Sequence, residues 1–298
     1  MSARLVGLAC AVLAACAPAS AQDRLPQGPP AVRFLATCEG KEGWSDPGPP
    51  VRVFGNVYHV GTCGITVLLV AGDQGHILID TGPADAASLV TANIETLGFK
   101  LDDIEWIVTS HEHPDHVGGI AELKRLTGAR LAARAASKGP LETGRADWRD
   151  PQADLKQTFT AAPVDRVLRD GEHLVVGNLN LTLHATPGHS PGSTTWSWRS
   201  CQGSTCRDMV YADSVTAVSA DGFQFSRQAV YVDAFARSLG KIAALPCEIL
   251  ITPHPGSSKL HERLAGQQPL ADPDACLEYA LAAQAALEAR LARENPGQ

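Results

Sequence analysis

The chain has 298 residues, of which 44% are hydrophobic and 19% are charged, and its formal net charge is −7 at pH 7. This acidic balance argues against a nucleic-acid groove, which needs clustered basic residues, because Lys156, Lys241 and Lys259 are scattered along the chain. The length, uninterrupted by low-complexity linkers or repeats, predicts one compact domain with a sizeable core.

The N-terminus has the pattern of a secretory signal. Arg4 precedes an apolar run at residues 5–17, and Ala-Ser-Ala at residues 19–21 forms a small-residue cleavage site. The run is too short to span a bilayer as a stable anchor. We therefore expect a signal peptide at residues 1–21 and a periplasmic mature protein at residues 22–298.

A lipoprotein signal is the alternative interpretation of the same segment. Leu-Ala-Ala-Cys at residues 13–16 resembles a bacterial lipobox. Cleavage after residue 15 would leave Cys16 acylated and the protein anchored through lipid. The well-formed cleavage site after Ala21 favours the soluble form.

Strand-like and helix-like segments alternate along the mature chain. The Pro-rich stretch up to about residue 50 predicts an arm over the surface. Strands are predicted at 51–60, 65–71, 76–80 and 104–108 and in a second series from 164 to 211, and helices at about 84–97, 120–126, 231–245 and 273–293. The pattern alone indicates a mixed α and β domain.

The segment Thr-Ser-His-Glu-His-Pro-Asp-His, residues 109–116, follows a predicted strand and holds three imidazoles and a carboxylate. These are ligand types that a catalytic zinc prefers. In an extended segment His111 and His113 point to the same side, and the turn after Pro114 can aim Asp115 and His116 elsewhere. One short loop can therefore serve two neighbouring metal ions.

Two further histidines stand where a predicted strand ends and a loop begins. His189 lies in Thr-Pro-Gly-His-Ser-Pro-Gly-Ser, and His254 lies in Thr-Pro-His-Pro-Gly after an apolar strand. Either one taken alone is more typical of an ordinary loop histidine than of a ligand. Nothing beyond composition singles out the other five, which are His59, His76, His173, His184 and His261.

Six cysteines remain after the signal segment, an even number that is typical of disulfides in an oxidising compartment. Several pairings are open, and pairing of neighbours is the simplest. It predicts the bridges Cys38–Cys63, Cys201–Cys206 and Cys247–Cys276.

These motifs resemble the metallo-β-lactamase superfamily, and their details resemble subclass B3. The signature His-x-His-x-Asp-His stands at residues 111–116, and Asp80 matches an aspartate at the end of an earlier strand. The sequences around His189 and His254, and Tyr-Ala-Asp-Ser ending at Ser214, fit subclass B3. The resemblance implies a four-layer αββα sandwich, an α+β fold, over a single domain at residues 22–298.

The resemblance also implies a role for each site residue. It places His111, His113 and His189 on a first zinc ion, and Asp115, His116 and His254 on a second. Ser214 and Thr216 are candidates to hold the substrate carboxylate, Gln152 is a candidate for a loop contact over the site, and Asp115 would orient the nucleophile. Asp80, Asp213 and Glu112 are candidates to support the ligands from behind. Pro114 departs from the family, which has a bulky aromatic residue there.

Two zinc ions roughly 3.5–4 Å apart can activate water and stabilise both the attacked carbonyl and the departing nitrogen. The implied activity is zinc-dependent hydrolysis of β-lactams (penicillins, cephalosporins and carbapenems) by a monomer, which would give antibiotic resistance. A serine mechanism is disfavoured, because Ser238-Leu-Gly-Lys241 occurs without its companion motifs. The alternatives are a lactonase or glyoxalase-II-type thioesterase and, less favoured, a non-catalytic periplasmic zinc-binding protein.

Overall fold

The computed structural model describes residues 31–295 of the chain. Both the predicted signal peptide and the alternative lipobox lie outside these residues. Within them, no helix has the length and apolar character needed to cross a membrane.

Two β-sheets form the centre of the molecule. The first has seven strands in sequence order: β1 (Val51–Phe54), β2 (Val57–His59), β3 (Leu68–Ala71), β4 (His76–Ile79), β5 (Ile104–Val108), β6 (Arg130–Arg134) and β7 (Arg166–Leu168). The second has five strands in the spatial order β12 (Ile249–Ile251), β11 (Thr205–Tyr211), β10 (Thr194–Gln202), β9 (Leu179–Ala185) and β8 (His173–Val176).

Within residues 31–295, eight α-helices connect or cover these sheets: α1 (Ala31–Cys38), α2 (Ala87–Thr96), α3 (Pro114–Val117), α4 (Ile120–Thr127), α5 (Ala135–Thr143), α6 (Ala229–Ala243), α7 (Leu260–Leu264) and α8 (Ala275–Glu294). Helices α2 and α4 pack on the outer face of the first sheet. Helices α6 and α8 pack on the outer face of the second sheet. The predicted four-layer αββα sandwich is confirmed.

The alternation of side chains along each strand builds this layering. In β4, Ile77 and Ile79 point into the core between the sheets, whereas Leu78 points to the layer of α2 and α4. Trp196 of β10 is fully buried in the inter-sheet core. A strand buried on both faces needs apolar residues on both sides, which explains the apolar run at residues 77–79 that follows His76 in β4.

The direction of the strands determines where a site can form. Strands β4 to β7 run parallel to one another, and β11 runs parallel to β12. The loops after β4, β5, β9, β11 and β12 meet at one end of the sandwich. There Thr194 donates its amide to Ser110 O at 2.7 Å, and Thr66 donates to Pro253 O at 2.8 Å. The functional sequences found in both halves of the chain therefore share one edge.

Part of the N-terminal stretch that the sequence predicts as an arm over the surface folds as helix α1. Helix α1 is docked, with Phe34 fully buried between the rings of His59 and His261 at centroid distances of 5.2 and 5.0 Å. The Cys38–Cys63 disulfide fixes its end. The other disulfides are Cys201–Cys206 and Cys247–Cys276, so all three join the predicted pairs.

Several elements differ from the predictions. The single strand predicted at 51–60 is a hairpin, because Gly55, with φ +52°, forms a turn between β1 and β2. Helices α3, α5 and α7 and strand β6 were not predicted. Strand β6 has the sequence Arg-Leu-Ala-Ala-Arg, whose residues favour helix, but pairing with parallel strands on both sides overrides that preference.

Candidate metal centre

The ligand-rich loop begins where β5 ends. His113 has extended backbone angles, φ −83° and ψ 149°, and precedes the first residue of α3, Pro114. Proline suits this position because the missing N–H has no partner inside the helix there. The short helix then turns Asp115 and His116 away from the line of His111 and His113. Pro114 is thus the residue that starts the turn.

Three imidazoles form a first group. His111, His113 and His189 are buried, and each offers one ring nitrogen within 4.8 Å of the others. Nδ1 of His113 lies 3.2 Å from Nε2 of His189. Nε2 of His111 is buried without any hydrogen-bond partner. Because an unpartnered buried polar atom costs free energy, these converging nitrogens fit a bound cation.

A second group adjoins the first. Oδ2 of Asp115 lies 3.0 Å from Nε2 of His116 and 3.4 Å from Nε2 of His254. The two imidazole nitrogens are 3.3 Å apart. Ligand atoms of His111, Asp115 and His116 also lie within 4.8 Å of one another, so the two groups are contiguous. Both sheets contribute to this group, because His254 follows β12 of the second sheet. The side chain of His254 is one-third exposed.

The opposite ring nitrogens of His111 and His189 are held from behind. Nδ1 of His111 donates to Asp213 Oδ1 at 2.8 Å, and Nδ1 of His189 donates to the carbonyl oxygen of Thr216 at 3.0 Å. Such bonds fix the tautomer and leave the other nitrogen free for a metal. Asp213 was a candidate for this support, whereas the role of Thr216 was not predicted.

Asp80 joins the two sheets beneath the site. Its Oδ1 accepts the Ser110 amide at 2.6 Å, and its Oδ2 accepts the hydroxyls of Ser110 and Tyr211, both at 2.7 Å. Oδ2 also lies 3.6 Å from Nδ1 of His116. The backbone of Asp80 has φ +63°, a conformation that side chains rarely adopt and that surrounding bonds must compensate. Asp80 therefore braces the loop closely and supports the imidazole at longer range.

Glu112 has a different task from its neighbours. It points away from the imidazoles and accepts the Ser190 hydroxyl at 2.9 Å and the Gly192 amide at 3.0 Å. Gly192 has no room for a side chain, since a Cβ would lie 2.2 Å from Glu112 Oε2. Burial raises the pKa of Glu112 to about 6. This residue fastens the loop that carries His189 onto the loop after β5.

Burial keeps two of the ligand imidazoles neutral, which is the protonation state that binding of a metal ion needs. Burial, followed by the charge of His116, holds the pKa of His111 well below its usual range, and burial and His113 lower that of His189 to about 3. Burial alone would lower the pKa of His116, but Asp115 and Asp80 raise it to about 10. His111 and His189 are therefore neutral, and they lie close to His116, whose protonated, positively charged form is favoured.

The candidate substrate contacts lie around this centre. Nε2 of Gln152 is 3.5 Å from both His113 Nδ1 and His189 Nε2. Ser214 is nearly buried, and Thr216 is exposed with its hydroxyl 3.0 Å from Nδ1 of His189. A cleft of about 430 Å³ opens beside His254 and is bordered by Trp44, a neighbour that the motifs did not indicate.

Asp150 was also missed. Its Oδ2 accepts Nε2 of His113 at 2.9 Å, although the two residues are 37 positions apart. The sequence of this loop has no metal-ligand spacing, so no local signal could have identified the contact.

Comparison with known proteins agrees with the fold. The family model of the metallo-β-lactamase superfamily matches residues 60–254. The chain therefore belongs to the metallo-β-lactamase superfamily.

Within that superfamily the similarity is to subclass B3, as the motifs predicted. The structure of the metallo-β-lactamase MIM-1 from Novosphingobium pentaromativorans is 48% identical and superposes with a TM-score of 0.87, covering 89% of this chain and 98% of that chain. MEM-A1, a subclass B3 metallo-β-lactamase from a soil metagenome library, is 39% identical with a TM-score of 0.81, over 86% of this chain and 100% of that one.

A more distant similarity is to thioester hydrolases. The hydroxyacylglutathione hydrolase of Acidiphilium cryptum (strain JF-5) is 30% identical over 128 residues, 43% of this chain. The chain spans only 42% of the length of that curated relative.

Replacing Asp80 tests its role as the brace. Asp80→Ala removes the acceptor of three buried donors and keeps the unfavourable backbone angle, so we expect the free energy of unfolding to fall by about 3–5 kcal/mol. The exposed Asp85 is the control, and Asp85→Ala should change stability by less than about 0.5 kcal/mol. Urea unfolding followed by circular dichroism measures both. Equal stabilities of the two variants would contradict the assignment.

Proposed function

We propose that the protein is a zinc-dependent β-lactamase that hydrolyses the β-lactam amide bond of penicillins, cephalosporins and carbapenems. The observation that carries the proposal is the pair of contiguous ligand groups, one with three imidazoles and one with a carboxylate and two imidazoles. The similarity to subclass B3 metallo-β-lactamases over almost the whole length of those chains supports the same activity.

Two zinc ions per chain fit these side chains. His111, His113 and His189 would hold one ion, and Asp115, His116 and His254 the other. When bound, zinc supplies a Lewis acid for the attacked carbonyl and a water whose pKa is lowered to about 7. The residues contribute orientation, because the hydrogen bonds behind His111 and His189 fix both rings before substrate arrives.

The chain's own groups give each part of the substrate a partner. Asp115 is the carboxylate among the ligands and would orient the attacking water. Ser214 and Thr216 lie on the loop after β11 and would donate to the substrate carboxylate, a contact that fixes the position of the strained ring. Gln152, at 3.5 Å from two ligand nitrogens, would contact the substrate from the opposite loop.

A thioesterase of the glyoxalase II type is the second candidate, favoured only by the partial similarity to hydroxyacylglutathione hydrolases. That chemistry requires an aspartate that bridges the two metals, and Asp213 is the residue to consider for it. Its Oδ1 instead accepts the outer nitrogen of His111 at 2.8 Å. This arrangement supports the β-lactamase, and it likewise disfavours a lactonase that depends on the same bridge.

The proposal extends to location and biological role. Three disulfides among the described residues suit an oxidising compartment, which agrees with secretion to the periplasm through the N-terminal segment. Hydrolysis of β-lactams there would protect the cell wall machinery and give antibiotic resistance. A monomer is sufficient for this role, since one chain supplies all six proposed ligands.

The direct test is hydrolysis of a carbapenem and a chromogenic cephalosporin by the purified mature protein. We expect turnover that a chelator abolishes and zinc restores. A lactone and a glutathione thioester serve as competing substrates. Turnover of the thioester without turnover of either β-lactam would reject the proposal in favour of the second candidate, and zinc binding without turnover of any substrate would favour a non-catalytic zinc protein.

Asp115→Ala tests the catalytic assignment separately. Asp115 is a buried residue of α3, but its side-chain contacts are to the ligand imidazoles of His116 and His254. Because these contacts lie at the site and not in the hydrophobic core, we expect the metal-free variant to remain folded. Turnover should fall by at least about 100-fold, equivalent to about 2.7 kcal/mol of barrier. Asp154→Ala, on a neighbouring loop, is the control. Activity of Asp115→Ala equal to wild type would refute the two-zinc arrangement.

Ser214→Ala tests the carboxylate contact. Loss of a hydrogen bond to a charged group should raise KM for a β-lactam by about tenfold, with kcat changed far less. Ser219→Ala, on the same loop, is the matched control and should leave KM unchanged. An unchanged KM in Ser214→Ala would show that the carboxylate is held elsewhere.

A further inference from the structure

Asp150 is a buried carboxylate in an otherwise open loop, here called the 145–158 loop. Its side chain has no exposed surface, although Trp148, two residues earlier, is 86% exposed. Burying a carboxylate is costly unless it is fully hydrogen-bonded. The position of Asp150 therefore needs a specific cause.

Two bonds supply that cause. Asp150 Oδ2 accepts Nε2–H of His113 at 2.9 Å, and Asp150 Oδ1 accepts the backbone amide of Gln152 at 2.7 Å. The first bond places the proton of His113 on Nε2. The other ring nitrogen, Nδ1, is then unprotonated, and its lone pair faces His189 and is available to bind a metal. The second bond fixes the backbone that presents Gln152 over the same nitrogens.

The loop is also tied to the support of the other imidazole. Ala220 donates its amide to Pro151 O at 2.9 Å, and Ala220 lies on the segment whose Thr216 holds Nδ1 of His189. By contrast, Asp80, which supports His116, directly follows strand β4, and Asp213, which supports His111, lies two residues after the end of β11. His113 is therefore supported by a loop, while His111 and His116 are supported by the sheets.

We propose that Asp150 is a positioning residue that couples occupation of the first metal site to the order of the 145–158 loop. A metal on Nδ1 of His113 fixes the ring and, through Asp150, the backbone that carries Gln152. The coupling is reciprocal. If binding of the metal raises the equilibrium constant for ordering of the loop by some factor, ordering of the loop must raise the affinity for that metal by the same factor. The inference rests on the metal site of the proposed function and does not depend on β-lactams as substrates.

Zinc binding to the mature protein, measured by competition with a chromogenic chelator, tests the coupling. Asp150→Ala should weaken one of the two zinc-binding steps by about 10–100-fold and leave the other within about threefold. Asp150→Asn retains one acceptor and should recover part of the loss. Asp154→Ala is the matched control, because Asp154 is an exposed aspartate on the same loop, and this variant should bind both ions like wild type.

Hydrogen exchange of the loop provides the second readout. Zinc should slow amide exchange across residues 145–158 in wild type and in Asp154→Ala, but much less in Asp150→Ala. Wild-type zinc affinity in Asp150→Ala, or loop exchange that is indifferent to zinc in wild type, would overturn the coupling. A wild-type protein that binds no zinc would instead refute the proposed function, so the two failures are distinguishable.

Discussion

The main physical constraint on this structure is that six ligand-type side chains, five of them buried, must lie together at one end of the sandwich. Taking imidazoles and a carboxylate out of water costs free energy unless each polar atom has a partner. The protein meets this constraint at three of the rings with an acceptor behind the ring: Asp213 for His111, Asp150 for His113 and Thr216 for His189. The forward nitrogens are left to converge, which is the condition for tight and specific binding of a cation.

The two sheets make this convergence rigid. Asp80 accepts donors from Ser110 after β5 and from Tyr211 of β11, so one carboxylate connects the sheets directly below the ligands. Glu112 then ties the loop of His189 to the loop after β5. Residues that touch neither metal nor substrate thus fix the distances on which the chemistry depends, at the expense of a strained backbone at Asp80.

The sequence was most informative where the candidate ligands lie close together along the chain. Residues 111–116 carry four ligand side chains, three imidazoles and a carboxylate, and the turn-rich segments around His189 and His254 follow apolar strands. Both the ligand cluster and its place at strand ends were therefore predictable. The roles of Asp150 and Thr216 were not, because each contact joins distant positions and a single aspartate or threonine has no pattern. Helix α1 was missed for a related reason, since Phe34 and Cys38 form its short buried face only when β1 and α7 are present to cover it.

The central claim is that two metal ions are held by two separate sets of side chains. Crystallography of the zinc-loaded protein, with anomalous diffraction recorded on both sides of the zinc absorption edge, tests it most directly. The account predicts two zinc peaks, one contacted by His111, His113 and His189 and the other by Asp115, His116 and His254. A single peak, or a zinc pair bridged by Asp213, would contradict it.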